Sequence, residues 1–142
     1  MSKDEIDREM TFLNEEILEK KKKGEILLTM DANAKIGLLG EETSRNGGEL
    51  LKVFNDTGLT ILNGTDKCEG IVTRQNTKNP DEKSAIDFVT ATLEAHSWIK
   101  NVFIDETGLI KVKGKINSDH NTICIDLSIP YIDKSQPPKR TG

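Results

Sequence analysis

Apolar residues recur at helical spacing at the start of the chain: Ile6, Met10, Leu13 and Ile17, with Leu18 beside them. "SKDE", Ser2 to Glu5, fits a capping box in which the Ser2 hydroxyl accepts from the Glu5 N–H. Acidic residues in the first turn and Lys20 to Lys23 in the last complement the helix dipole, and Gly24 supplies a left-handed stop. The spacing predicts an amphipathic helix within residues 1–24 that packs on the domain after it. Next, "EILLTMD" is almost continuously apolar, which predicts a strand buried on both faces and ending in the polar Asp31-Ala32-Asn33.

Residues 34–48 are rich in Gly and polar side chains and read as a loop. Asn46 and Glu49 are placed to cap a second helix through Leu50, Leu51 and Phe54, with Gly58 as its stop. "LTILN" reads as a strand, "TDKCEG" as a turn, "IVTRQ" as a strand and "NTKNPDEKS", with Pro80, as a loop. "AIDFVTAT" alternates, putting Ile86 and Phe88 on one face and Ala85, Asp87 and Val89 on the other. Leu93 to Lys100 forms a short helix or turn, and "VFIDETGLIKVKG" a hairpin turning near Thr107-Gly108. A last strand sets Ile123, Ile125, Leu127 and Ile129 on one core face, and residues 131–142 form a polar, disordered tail. This order predicts an α/β (α+β layered) fold, a mostly antiparallel sheet with helices on one face.

With 142 residues the chain is expected to form one domain. Hydrophobic residues make up 35% and charged residues 31%, so the core should be thin. A net charge of −4 gives no global basic field, and any affinity for nucleic acid must come from a local patch or a bridging cation. Cys68 and Cys124 stand far apart without a CxxC spacing, which suits a reduced compartment better than a disulfide scaffold or a zinc site. The charged N-terminus and the lack of any long apolar run predict an intracellular protein, nuclear or cytoplasmic, with no membrane partner and no secretory signal.

Polar groups cluster at predicted strand ends: Asp31 and Asn33, Thr73, Asp87, and Asp119-His120. Singly, each is more often a turn or a structural residue than a site. Asp87 is the exception, because a carboxylate between Ile86 and Phe88 faces partial burial, which is costly without a donor. A histidine N–H would satisfy it, fixing the imidazole tautomer and leaving the second ring nitrogen to act on a phosphate. Asp31 and Asn33 could hold a water or a phosphoryl oxygen, and Asp119 a divalent cation.

Taken in order, "TMDANAKIG", "SRNGGELLKVFNDTGLTILN", "IVTRQNTKNPDEKSAIDFV" and "SDHNTICIDL" resemble the endonuclease/exonuclease/phosphatase superfamily, and within it the endonuclease domains of non-LTR retrotransposons. The resemblance runs from about Glu25 to Ile129 (a partial domain, 25–130) and corresponds to the later half of a four-layer α/β sandwich. It implies that Asp31 serves the attacking water and Asn33 the scissile phosphate. Met30 stands where the family's motif has glycine. By the same resemblance Thr73 helps organise the phosphate site, Asp87 orients the histidine, Asp119 lies at the metal, and His120 acts on the phosphate. It implies Mg²⁺ or Mn²⁺ as cofactor and DNA, or RNA, as partner.

The family's earlier half carries the glutamate that is its principal metal ligand, and no residue before Glu25 matches it. Since the two halves are expected to contribute the two sheets, one sheet face should lack its partner. The favoured expectation is a partial endonuclease domain with little activity alone, because losing that ligand removes charge neutralisation and water activation. The alternatives are a site completed by a homodimer or by the missing half, and a non-catalytic binding or structural module. For the last, Lys111, Lys113 and Lys115 are the candidate contacts, and they read equally well as a solvated strand edge.

Overall fold

The structure is a computed structural model and describes residues 2–76, 78–79, 81–110 and 118–130. The N-terminal pattern folds as α1 (Lys3–Lys21), capped by Ser2, whose hydroxyl accepts from the Glu5 N–H at 3.2 Å. Ile6 and Ile17 are buried along it. Its end differs from the expected glycine stop: Lys22 is right-handed, and Gly24, with φ 159°, lies far from the left-handed helical region. The Lys21 ammonium instead donates to the Thr57 carbonyl at 2.7 Å, setting a cation on the negative end of the second helix.

That helix, α2 (Arg45–Thr57), is capped by Ser44 and not by Asn46, because the Ser44 hydroxyl accepts from the Gly47 N–H at 3.1 Å. Asn46 spends its side chain on the Ser44 hydroxyl and on the Asn33 carbonyl. Gly47 is required by contact: a Cβ there would lie 2.1 Å from the Lys35 carbonyl oxygen, so only glycine lets α2 press on the chain leaving the first strand. Gly58 ends α2 in the left-handed conformation, as its position predicts.

Two sheets lie beneath the helices. In the first, β1 (Leu27–Asp31) and β2 (Thr60–Ile61) flank β6 (Asp87–Ala91), both antiparallel to it. Leu28, Met30 and Phe88 turn to the helices and pack with Ile17, Leu50, Val53 and Phe54. In the second, β7 (Ile99–Ile104) lies between β3 (Cys68–Glu69), parallel to it, and β8 (Ile123–Leu127), antiparallel. The expected "TDKCEG" turn thus contains a strand. A small hairpin, β4 (Arg74–Gln75) with β5 (Lys83–Ser84), occupies part of the expected loop, and α3 (Leu93–Trp98) links β6 to β7.

The sheets share a core. Val89 and Ala91 of β6, Leu62 and Ala95 pack with Ile99 and Val102 of β7, and Ile123 and Ile125 of β8 lean on them. The fold is α/β with mostly antiparallel pairing and α1 and α2 on one face. One expectation fails: this chain supplies strands to both sheets, so neither sheet is missing outright.

What it leaves open is an edge of each sheet. Among the described residues β1 pairs only with β6 and β8 only with β7. β1 therefore alternates between exposed and half-buried positions instead of being buried on both faces. The expected core face of the last strand fades for the same reason: Ile123 and Ile125 are half-buried, whereas Leu127 and Ile129 are 39% and 61% exposed. Pro80, the second arm of the expected hairpin with Lys111, Lys113 and Lys115, and the tail 131–142 lie outside the described residues. Among the described residues no helix is long and apolar enough to cross a membrane.

Candidate active site

Asp31 ends β1 and Asp87 begins β6, and the antiparallel register sets them opposite each other. Paired residues of neighbouring strands project to the same side, so two carboxylates share one sheet end. His120 reaches them because its segment is laced to Thr73 and to β4 directly after it. The Gln75 N–H donates to the Asp119 carbonyl at 2.8 Å and the Asn121 N–H to the Thr73 carbonyl at 2.7 Å.

His120 Nδ1 lies 3.0 and 3.2 Å from the two Asp87 carboxylate oxygens. An ionised carboxylate only accepts, so Nδ1 carries the proton and, in the neutral ring, Nε2 carries the lone pair. Nε2 faces Asp31 Oδ2 at 3.7 Å and Asp119 Oδ1 at 3.8 Å. The Asp87 side chain is 13% exposed and that of His120 34%, so the carboxylate is sheltered while the imidazole is partly open to solvent.

Side chains hold both backbone polar groups of Asp87. Thr73 Oγ1 accepts from the N–H groups of Ile86 at 2.9 Å and Asp87 at 3.1 Å. Asn63 Nδ2 donates to the Asp87 carbonyl at 2.9 Å. Thr73 is fully buried, and it meets the site through the backbone of Asp87 and, by its own carbonyl, through the segment that carries His120. Asn63 had no expected role. Its sequence signal is an Asn-Gly pair directly after a strand, which marks a place where the chain leaves a sheet.

Asp119, the expected metal ligand, is engaged elsewhere. Its Oδ2 takes the Arg74 guanidinium at 2.7 Å, leaving only Oδ1 toward His120. The acidic and imidazole groups of Asp31, Asp87 and His120 come within 4.8 Å of one another. Magnesium and manganese favour a shell of about six ligands, dominated by oxygen. Here Asp87 is committed to the imidazole, so Asp31 is the uncommitted carboxylate of that group of three, and Asp119 stands outside it. The donor set fits part of a cation shell.

Asn33 is left-handed, with φ 45°, a conformation that asparagine tolerates better than most residues, and its N–H donates to Asp31 Oδ1 at 3.2 Å. Its side chain is exposed at the rim of a polar cavity of about 600 Å³ that Lys35, Arg74 and Lys83 also line. Thus Asp31, Asp87 and His120 converge, Asp119 stands beside them, Asn33 lies one turn of chain away, and Thr73 lies beneath.

The sequence profile described as endonuclease-reverse transcriptase matches residues 3–124. The chain belongs to that family. The matched span takes in α1 as well as the segment after Glu25. Among solved structures, the family member's fold is similar to the endonuclease domain of TRAS1, a telomere-specific non-LTR retrotransposon, with a TM-score of 0.56 and 26% identity over 74% of this chain. The alignment covers 44% of that structure, so this family member spans less than half of its length. No curated protein matches the chain.

Proposed function

We propose that this retroelement-type endonuclease domain carries the histidine side of a site that hydrolyses phosphodiester bonds in DNA with a divalent cation, Mg²⁺ or Mn²⁺. The observation that carries the reading is the His120–Asp87 pair, with Nδ1 held by the carboxylate and Nε2 turned to the side where Asp31 stands. Neutral His120 accepts a proton at Nε2; once protonated, the ring donates to a phosphoryl oxygen and Asp87 stabilises its charge. Asp31 is placed to orient a water beside Nε2, and the Asn33 carboxamide offers donors to a phosphate oxygen. Asp31 would hold a divalent cation, with Asp119 Oδ1 nearby, and the cation would supply charge neutralisation at the phosphate and a more acidic bound water.

So sparse a carboxylate set would hold such a cation weakly; the chain alone is therefore inactive or slow, and full activity needs a further carboxylate from outside the described residues. A purely structural module is disfavoured, because it would have no use for a solvent-facing imidazole locked in one tautomer. The test is plasmid nicking with Mg²⁺ or Mn²⁺, by the chain alone and by a fusion that sets the preceding portion of the TRAS1 endonuclease domain ahead of Lys3. The chain alone should nick near background. The fusion should nick well, and His120→Ala should lower its rate on the order of 10²- to 10⁴-fold. A folded, DNA-binding fusion that nicks equally well with and without His120 would overturn the proposal.

A further inference from the structure

The β2–β6 ladder is short, covering Thr60 and Ile61, after which the Leu62 N–H donates to the Val89 carbonyl at 2.8 Å. The main chain then turns away through Gly64, left-handed at φ 77°. The next rung is made by a side chain. Asn63 Oδ1 accepts from the Val89 N–H at 2.8 Å, and its Nδ2 donates to the Asp87 carbonyl at 2.9 Å. One carboxamide thus presents the donor and acceptor of a peptide group to β6 just where the backbone has left, and at 5% exposure it does so away from water.

We propose that Asn63 is a positioning residue for the site: by closing the ladder beside Asp87 it sets where that carboxylate meets His120 Nδ1. The chemistry singles out asparagine. Aspartate offers no donor to the Asp87 carbonyl, leucine offers neither group, and glutamine carries an extra methylene into a buried space. With Thr73 holding the N–H of Asp87 and Asn63 its carbonyl, the residue is fixed from both sides of its own backbone. The use of this geometry in cleavage rests on the function proposed above; the geometry itself is tested without it.

The chain has two histidines, so ¹⁵N spectra of the full chain resolve the His120 imidazole and report its tautomer. In the wild type the neutral ring should be Nδ1–H, as Asp87 requires. Asn63→Ala and Asn63→Asp should both lose that preference and shift toward Nε2–H. Asn63→Asp keeps the acceptor for the Val89 N–H and decides the question if the alanine variant does not fold. Val53→Ala, which opens a cavity in the helix-side core, serves as the control for stability loss and should leave the tautomer unchanged. An unaltered Nδ1–H population in a folded Asn63 variant, or an equal shift in Val53→Ala, would overturn the proposal. A fusion that fails to nick would sink the functional reading and leave this one standing.

Discussion

Asp87 and Asp31 face each other across one strand pair, yet their side chains are 13% and 58% exposed. The difference comes from what surrounds each. Asp87 opens a central strand, and two buried side chains, Thr73 and Asn63, grip its backbone while His120 takes its carboxylate. Asp31 closes an edge strand; among the described residues its carboxylate accepts from the N–H of Asn33 and lies 3.7 Å from His120 Nε2. Beside it, Asp119 is occupied by Arg74. One arm of the site, which would handle protons in the proposed function, is built; the other, which would hold a cation, is open on the side where β1 and β8 have no further neighbour among the described residues.

The contrast is broken most severely at Thr73. Thr73→Val keeps the shape but removes the acceptor of the buried Ile86 N–H and the part-buried Asp87 N–H, and a buried group left unsatisfied costs roughly 1–3 kcal/mol. Urea unfolding should register a loss of that order, with the His120 ring losing its fixed tautomer. Asp31→Ala on the open arm should change stability by less than about 0.5 kcal/mol, as exposed substitutions do. Equal losses for the two variants would mean that the arms are held alike.

Arg74 offers a smaller and opposite effect. The Arg74–Asp119 pair is more than a third exposed on both sides, so it contributes at most about 1 kcal/mol to stability. Its cost to cation binding is larger in kind, because it removes one of the few carboxylate oxygens near His120 Nε2. Arg74→Met should therefore leave the urea midpoint almost unchanged and tighten Mn²⁺ binding measured by titration calorimetry. Weaker binding in the variant would mean that the guanidinium holds Asp119 in place for the cation.

These distinctions follow the line between what the sequence made legible and what it did not. α1 and α2 are read from their apolar period, and Ser2 and Gly58 from their chemistry, because helical signals lie within a few residues of each other. The Asp87–His120 pair is also legible, since a carboxylate between two buried residues needs a donor. β3, β4 and β5 have two residues each, too few to carry an alternating pattern. The Arg74–Asp119 pair spans 45 positions and the Asn63 rung depends on where β2 stops, so neither has a local signature. The sequence pattern overstates the burial of β1 and β8, because alternation and apolar runs say which residues prefer shelter, not whether a neighbouring strand is there to give it.

The smallest expected effect lies in the loop that follows Asn33, on the open arm. Glu41 accepts from the N–H groups of Gly37 at 3.1 Å and Leu39 at 2.8 Å. What burial it has pushes its carboxyl up, but the backbone N–H groups of Glu41, Leu39 and Gly37, with the Lys35 ammonium, outweigh that and hold it below its ordinary value. The folded pKa is depressed, so the contribution to stability is present above the unfolded value and is lost as pH falls through the folded one. Glu41→Gln should therefore unfold at slightly lower urea than the wild type near neutral pH, and the two should converge in acid once Glu41 is protonated in both states. Because Glu41 makes no hydrogen bond to Asp87 or His120 among the described residues, the same variant should leave the His120 tautomer unchanged. A shift there would mean that the open arm's loop reaches the built arm, and that the two are coupled through Asn33 and Asp31.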